Sequence, residues 1–211
     1  MKITIPKIYP ITDTRISGLS HLEQVRRLIA GGATLIQLRD KSATAGDFYR
    51  AAVEAVDHAH RHGARIIIND RADIALASAA DGVHLGQDDL SPIHARDLLG
   101  PAAIIGFSTH SVDQARAALE LPIDYLAIGP VFATATKADH DPIVGLAGLM
   151  SVRKSISNLP LVAIGGIGRN NAASVFEAGA DSLAVINDLL SMPTDIVNRT
   201  RDLIRICALG D

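Results

Sequence analysis

The chain has 211 residues, a formal net charge of -3 and a single cysteine. That length can bury one large α/β core, and the slightly acidic balance argues against a general nucleic-acid binder, whose phosphate contacts need a basic excess. No apolar run approaches the roughly 20 residues that span a bilayer, and residues 1–6 lack the long apolar core of a secretory leader, so a soluble, cytoplasmic protein is expected with no membrane or nucleic-acid partner.

In chain order, short apolar runs predict strands near residues 7–12, 34–39, 64–69, 82–85, 103–107, 123–128, 160–164 and 182–186. Most end abruptly in polar residues, as in Ile66-Ile67-Ile68-Asn69-Asp70. A buried parallel strand followed by a functional loop gives this signature. Helical patterns fill the gaps. The clearest spans 45–62, where Phe48, Ala51, Ala52, Ala55 and Ala59 recur at three- and four-residue spacings while Arg50, Glu54, Asp57 and Arg61 face water. Ser20 can cap the helix that begins at His21, and Gly31-Gly32, Gly63 and Gly179 stand where helices should stop. Eight strand–helix units of roughly 25 residues predict a single-domain (β/α)8 TIM barrel over 1–211, with its site at the carboxyl ends of the strands. The segment from Gly129 to Gly145 is long for a strand-to-helix connection and is a candidate lid. Cys207, in an apolar terminal helix pattern, reads as a buried structural thiol.

Four constellations carry the chemistry. In Gln37-Leu38-Arg39-Asp40-Lys41, strand alternation sends Gln37 and Arg39 to one side, and if that side is the barrel interior they point toward the mouth with Lys41 just beyond. Two cations and an amide suit a charged phosphate; a surface ion-pair cluster around Asp40 is the alternative. Asn69-Asp70 and Asp88-Asp89 lie on adjacent loops, and two carboxylates with waters and phosphate oxygens suit Mg²⁺, although each of Asp70 and Asp89 also precedes a helix and can simply cap it. Thr134-Ala135-Thr136-Lys137 can surround a phosphate or hold an anionic leaving group, or be an ordinary polar loop. Finally, Gly165-Gly166 and Ile186-Asn187 end the seventh and eighth strands, where many barrels bind phosphate through backbone N–H groups, although tight turns also use such glycines. Among the histidines, His58, His60 and His62 read as a solvated helix face rather than a zinc site, His84 as a strand residue satisfied by its neighbours, and His110 as a candidate substrate contact or acid–base group.

Taken in order, these motifs resemble the thiamine phosphate synthase family over most of the chain, from Tyr9-Pro10-Ile11-Thr12-Asp13 to Ala184-Val185-Ile186. The resemblance implies a transferase that joins 4-amino-5-hydroxymethyl-2-methylpyrimidine diphosphate to a thiazole phosphate, with the carbon–oxygen bond breaking first and pyrophosphate leaving. It implies that Gln37, Leu38, Arg39, Asp40, Lys41, Asn69, Ser108 and Lys137 meet the pyrimidine diphosphate, with Arg39, Lys41, Ser108 and Lys137 acting in catalysis. It assigns Asp70 and Asp89 to Mg²⁺, and Thr134, Ala135, Thr136, Gly166, Ile186 and Asn187 to the thiazole phosphate. Asp40 stands where the family more often has Glu, and Asn187 where Ser is common. A related thiazole tautomerase would not need the cation and aspartate set, and a non-catalytic thiamine phosphate-binding barrel could dispense with the metal aspartates. Assembly into a homo-oligomer is left open.

Overall fold

The computed structural model describes residues 4–134 and 142–208. Along the chain run β1 (Ile8–Pro10), α1 (Thr14–Ser17), α2 (His21–Ala30), β2 (Leu35–Leu38), α3 (Ala45–Arg61), β3 (Arg65–Asn69), α4 (Ala72–Ala77), β4 (Gly82–Leu85) and α5 (Pro92–Leu99). They continue as β5 (Ile104–Thr109), α6 (Val112–Ala117), β6 (Tyr125–Ile128), α7 (Gly145–Ser155), β7 (Leu161–Ile164), α8 (Ala172–Glu177), β8 (Ser182–Val185), α9 (Asn187–Leu190) and α10 (Ile196–Ala208). All eight expected strands are present, each within a few residues of its predicted bounds.

The strands are parallel, in the order β1-β8-β7-β6-β5-β4-β3-β2. The two ends of that sheet meet through a parallel bridge between Ile11 and Gln37, where Thr12 N–H donates to Gln37 O at 2.9 Å. A barrel results, and its core divides in two. Inside lie Tyr9, Ile11, Leu35, Ile67, Ile104, Tyr125, Ala127, Val162 and Ala184; between strands and helices lie Ile36, Leu38, Ile66, Ile68, Val83, Leu85, Leu126, Ala163 and Leu183 with the helix faces. Successive strand residues therefore alternate between two buried layers, which is why the strands read as continuous apolar runs.

Helix starts follow the local chemistry. Ser20, Thr44, Ser91 and Ser111 each accept a backbone N–H three residues on, supplying a partner for otherwise unpaired donors of the first turn. In α3, Phe48, Ala52, Ala55 and Ala59 are buried as expected, joined by Val56, while Ala51 is only partly covered.

At the amino ends of the strands, one device recurs. Asp81, Asp124 and Asp181, each just before an even-numbered strand, donate their N–H to the carbonyls of Ile66, Ile105 and Leu161 and accept the N–H of the same residue on a carboxylate oxygen at 2.7, 2.8 and 2.8 Å. A basic side chain from the helix that leads into the partner strand completes each clamp: His60 of α3, Arg96 of α5 or Arg153 of α7. This engages His60 of the expected solvated face, while the His58 and His62 rings lie tilted against each other with centroids 4.2 Å apart. Cys207 is buried, and burial pushes its thiol up to about 11, so it stays protonated and structural. No helix among the described residues is long and apolar enough to cross a membrane.

Candidate active site

Parallel strands put all their carboxyl ends at one pole, which collects Arg39, Lys41, Asn69, Asp70, Asp89, Ser108 and Asn187 from separate segments. The decisive pair is acidic. Asp70 follows β3 at a φ of 64°, a left-handed conformation that aspartate tolerates better than most side chains. Its N–H donates to His84 O at 2.8 Å, and its carboxylate accepts from Lys41 Nζ at 2.5 Å. Asp89 accepts Gly86 N–H at 2.7 Å. Neither residue caps a helix: Arg71 stands at the N-cap of α4 without a side-chain capping bond, and Ser91 caps α5. The capping alternative is thus overturned for both. The two carboxyl groups instead face each other, and partial burial pushes the Asp89 carboxyl upward, reinforced by the neighbouring Asp70 charge and opposed by Gly86 N–H and Lys41.

Around β2 the alternative of an ion-pair cluster about Asp40 takes a different form. Arg39 is buried and pairs with Asp13 at 3.2 Å, while Asp13 also caps α1 through the N–H groups of Arg15 and Ile16. Asp40 binds neither flanking cation. One oxygen accepts the N–H groups of Ser42 and Ala43 and the Ser42 hydroxyl; the other meets His21 Nε2 at 3.2 Å. Burial alone would raise the Asp40 carboxyl, but these bonds prevail and hold it well below the usual carboxylate range. Asp40 therefore shapes the turn that presents Lys41, and its oxygens are already engaged. Leu38 points into the outer layer, so only its backbone can face the mouth, whereas Gln37 lies inside the barrel and donates to Tyr9 Oη at 3.0 Å.

Across the mouth, Ser108 Oγ lies 2.8 Å from His84 Nε2, and its carbonyl accepts from Gln87 Nε2 at 2.6 Å. His84 is thus satisfied by its neighbours, as expected. His110 donates Nδ1–H to Gly129 O at 2.6 Å, which ties it to the start of the long loop. At the end of β7, Gly165 and Gly166 have φ of 102° and 64°, and a Cβ on either would meet Pro130 Cα at 2.5 Å or Ala133 O at 2.7 Å. Their glycine character is accounted for by turn conformation and close packing against residues 130–133. Gly166 itself is exposed, and Ile186 precedes the first turn of α9, which Asn187 opens. Thr134 is partly exposed; Ala135, Thr136 and Lys137 lie outside the described residues, as does much of the candidate lid.

Three participants escaped the sequence reading: Asp13 as the partner of Arg39, and the Tyr9–Tyr125 pair that links Gln37 to His84. A glycine in the middle of β5, Gly106, is the available signal for the latter, since a strand interior gains nothing from glycine unless another group must come close.

The family model for thiamine monophosphate synthase matches residues 8–189. The chain belongs to that family. It is 46% identical over 198 residues to the thiamine-phosphate synthase of Koribacter versatilis, covering 90% of this chain and 92% of that protein. Against the thiamine-phosphate synthase of Syntrophomonas wolfei it is 45% identical over 200 residues, covering 94% and 95%. Among solved structures, thiamine phosphate pyrophosphorylase from Pyrococcus furiosus superposes with a TM-score of 0.87 at 36% identity, covering 97% of this chain and 96% of that one. The family is one of transferases, so the barrel is that of a transferase.

Proposed function

We propose that this chain condenses 4-amino-5-hydroxymethyl-2-methylpyrimidine diphosphate with a thiazole phosphate, giving thiamine phosphate and pyrophosphate by a dissociative route. The observation that carries the reading is the facing pair Asp70 and Asp89 beside Lys41, two carboxylates released from any capping duty at the mouth of a family member's barrel. Two hard oxygen donors placed so that the Asp70 charge opposes ionisation of Asp89 fit a small divalent cation, and Asp70 and Asp89 would hold Mg²⁺. When bound, it would supply positive charge to the diphosphate oxygens.

The chain's own residues do the rest. Lys41 exchanges Asp70 for the diphosphate, and Lys137 adds a second ammonium, so negative charge growing on the departing oxygen meets cations already in place. Arg39, neutralised and anchored by Asp13, offers directed N–H donors rather than net charge. Asn69 and Gln37 border the pyrimidine side, and Ser108 orients the ring. The Gly166 backbone, Thr134, Ala135, Thr136, and the Ile186–Asn187 turn receive the thiazole phosphate at the opposite edge. Once the carbon–oxygen bond opens, the thiazole nitrogen captures the methylene carbon in a site from which water is excluded.

Incubation of the purified protein with both substrates and Mg²⁺ tests the reading: thiamine phosphate and pyrophosphate should appear in equal amounts. Conversion of a thiazole phosphate isomer without pyrophosphate release would replace it with the tautomerase reading, and neither reaction would leave it without support.

A further inference from the structure

Beneath the mouth, polar side chains from five strands join end to end across the barrel. Gln37 Nε2 of β2 donates to Tyr9 Oη of β1 at 3.0 Å; Tyr9 Oη meets Tyr125 Oη of β6 at 2.9 Å; Tyr125 Oη meets His84 Nδ1 of β4 at 2.9 Å; His84 Nε2 meets Ser108 Oγ of β5 at 2.8 Å. Both tyrosines are fully buried, crossed edge to face at 5.8 Å, and the Tyr125 ring stacks on His84 at 5.5 Å. Space for this is made by Gly106, where a Cβ would fall 2.0 Å from Tyr125 Cζ and 2.5 Å from His84 Nδ1.

We propose that this chain runs in one direction only, holding His84 as the neutral tautomer with hydrogen on Nε2 and leaving the Ser108 hydroxyl hydrogen free to be donated to a ring nitrogen of the pyrimidine. The argument is an accounting of hydrogens. A buried hydroxyl left without an acceptor for its hydrogen is costly, and each hydroxyl has one to give. The Gln37 amide donates into Tyr9, so the Tyr9 hydrogen goes to Tyr125. The Tyr125 hydrogen then goes to His84 Nδ1, which must be a bare lone pair. His84 Nε2 consequently carries the ring hydrogen and donates to Ser108 Oγ. Ser108 is left with a hydrogen that the chain does not consume. Burial pushes both phenols well above their ordinary range, so neither hydrogen is lost near neutrality.

Two consequences follow. His84 cannot take a proton from Ser108, so Ser108 orients the substrate and is no nucleophile; Tyr125 and His84 are positioning residues that act through it. At the ring nitrogen next to C4 the site also selects polarity, accepting a 4-aminopyrimidine, where that nitrogen is an acceptor, over a 4-oxo analogue, where it bears hydrogen. This second consequence rests on the pyrimidine reading above, whereas the tautomer does not.

Nitrogen-15 NMR of histidine-labelled, substrate-free protein decides the direction, with His84→Gln used to assign the signals. The expected spectrum has Nδ1 unprotonated and Nε2 protonated. Hydrogen on Nδ1, or a reversed chain in which Ser108 donates to His84, overturns the proposal. Tyr125→Phe removes the donor to Nδ1 and should shift His84 away from the single Nε2–H tautomer, raise KM for the pyrimidine diphosphate about tenfold, the worth of one lost hydrogen bond, and change kcat less. Tyr9→Phe should retain the tautomer, because Tyr125 still donates. An unchanged KM in Tyr125→Phe, with the tautomer altered, overturns the link to the substrate. The expected tautomer in a protein that makes no thiamine phosphate would count against the functional reading and leave the hydrogen-bond direction standing.

Discussion

Asp89 has an environment that opposes its own ionisation, a partly buried carboxyl beside the Asp70 carboxylate, and a bound divalent cation would relieve it. Asp89→Asn keeps the shape and the neighbouring bonds but removes a charged oxygen ligand. The variant should need at least about tenfold more Mg²⁺ for half-maximal turnover, no less than the loss typical of outer-sphere partners; an unchanged magnesium titration would sink the assignment. Asp40 does different work. Its carboxylate is held low by backbone and hydroxyl donors, so its stabilising effect is present above the ordinary carboxylate range and fades as pH falls toward the lowered folded value. Asp40→Asn should therefore cost about 1.5–3 kcal/mol near neutrality, the scale of hydrogen bonds to charged groups. Urea unfolding at successive pH values should show that gap narrowing below about pH 4, and a gap independent of pH would remove the explanation. The two cases show what a sequence can carry at this scale. Asp70 and Asp89 were readable as a pair because each ends or follows an apolar strand run, but spacing alone left capping open, and only the positions of Arg71 and Ser91 closed it. Asp13 was not readable as the partner of Arg39, because 26 residues separate them and only the closure of β1 onto β2 brings them to 3.2 Å.

Strand runs were legible because two buried layers leave no polar alternation, and the caps were legible because a hydroxyl before a helix has few other uses. The clamps at the amino ends were not, since a lone aspartate before a strand looks like any turn residue. Their role appears only when Asp81, Asp124 and Asp181 are seen to bind both backbone groups of the preceding strand's residue. In Asp124→Ala, Ile105 N–H and the Arg96 guanidinium would both lose a charged acceptor at 2.8 Å. The expected loss is about 2–4 kcal/mol in unfolding free energy measured by denaturant titration, from an unsatisfied Ile105 N–H and a lost charged acceptor for Arg96 at a partly buried position. Because the clamp lies at the pole opposite the mouth, kcat and KM below the melting transition should stay close to those of the parent. A fall in turnover without a fall in stability would show that the two poles are not independent.

For the whole molecule, a net charge of -3 sits on a barrel whose mouth must receive further anions. The protein answers locally. Arg39 is neutralised by Asp13 and Lys41 by Asp70, so among the described residues these two cations of the mouth arrive already paired. An incoming diphosphate can take Lys41 only if Asp70 finds another cation, which couples anion binding to metal binding. Mg²⁺ and pyrophosphate should consequently stabilise the fold together and hardly at all separately. At a pyrophosphate concentration about one hundred times the dissociation constant, the gain is about 2.7 kcal/mol. For a chain of this length that corresponds to a rise in Tm of roughly 5–10 °C. Thermal unfolding with Mg²⁺ alone, pyrophosphate alone and both would measure the coupling, with Asp89→Asn as the control in which the joint shift should largely vanish. Equal shifts for pyrophosphate with and without Mg²⁺ would mean that the cationic side chains bind the anion unaided, and the exchange of Lys41 between Asp70 and substrate would have to be abandoned.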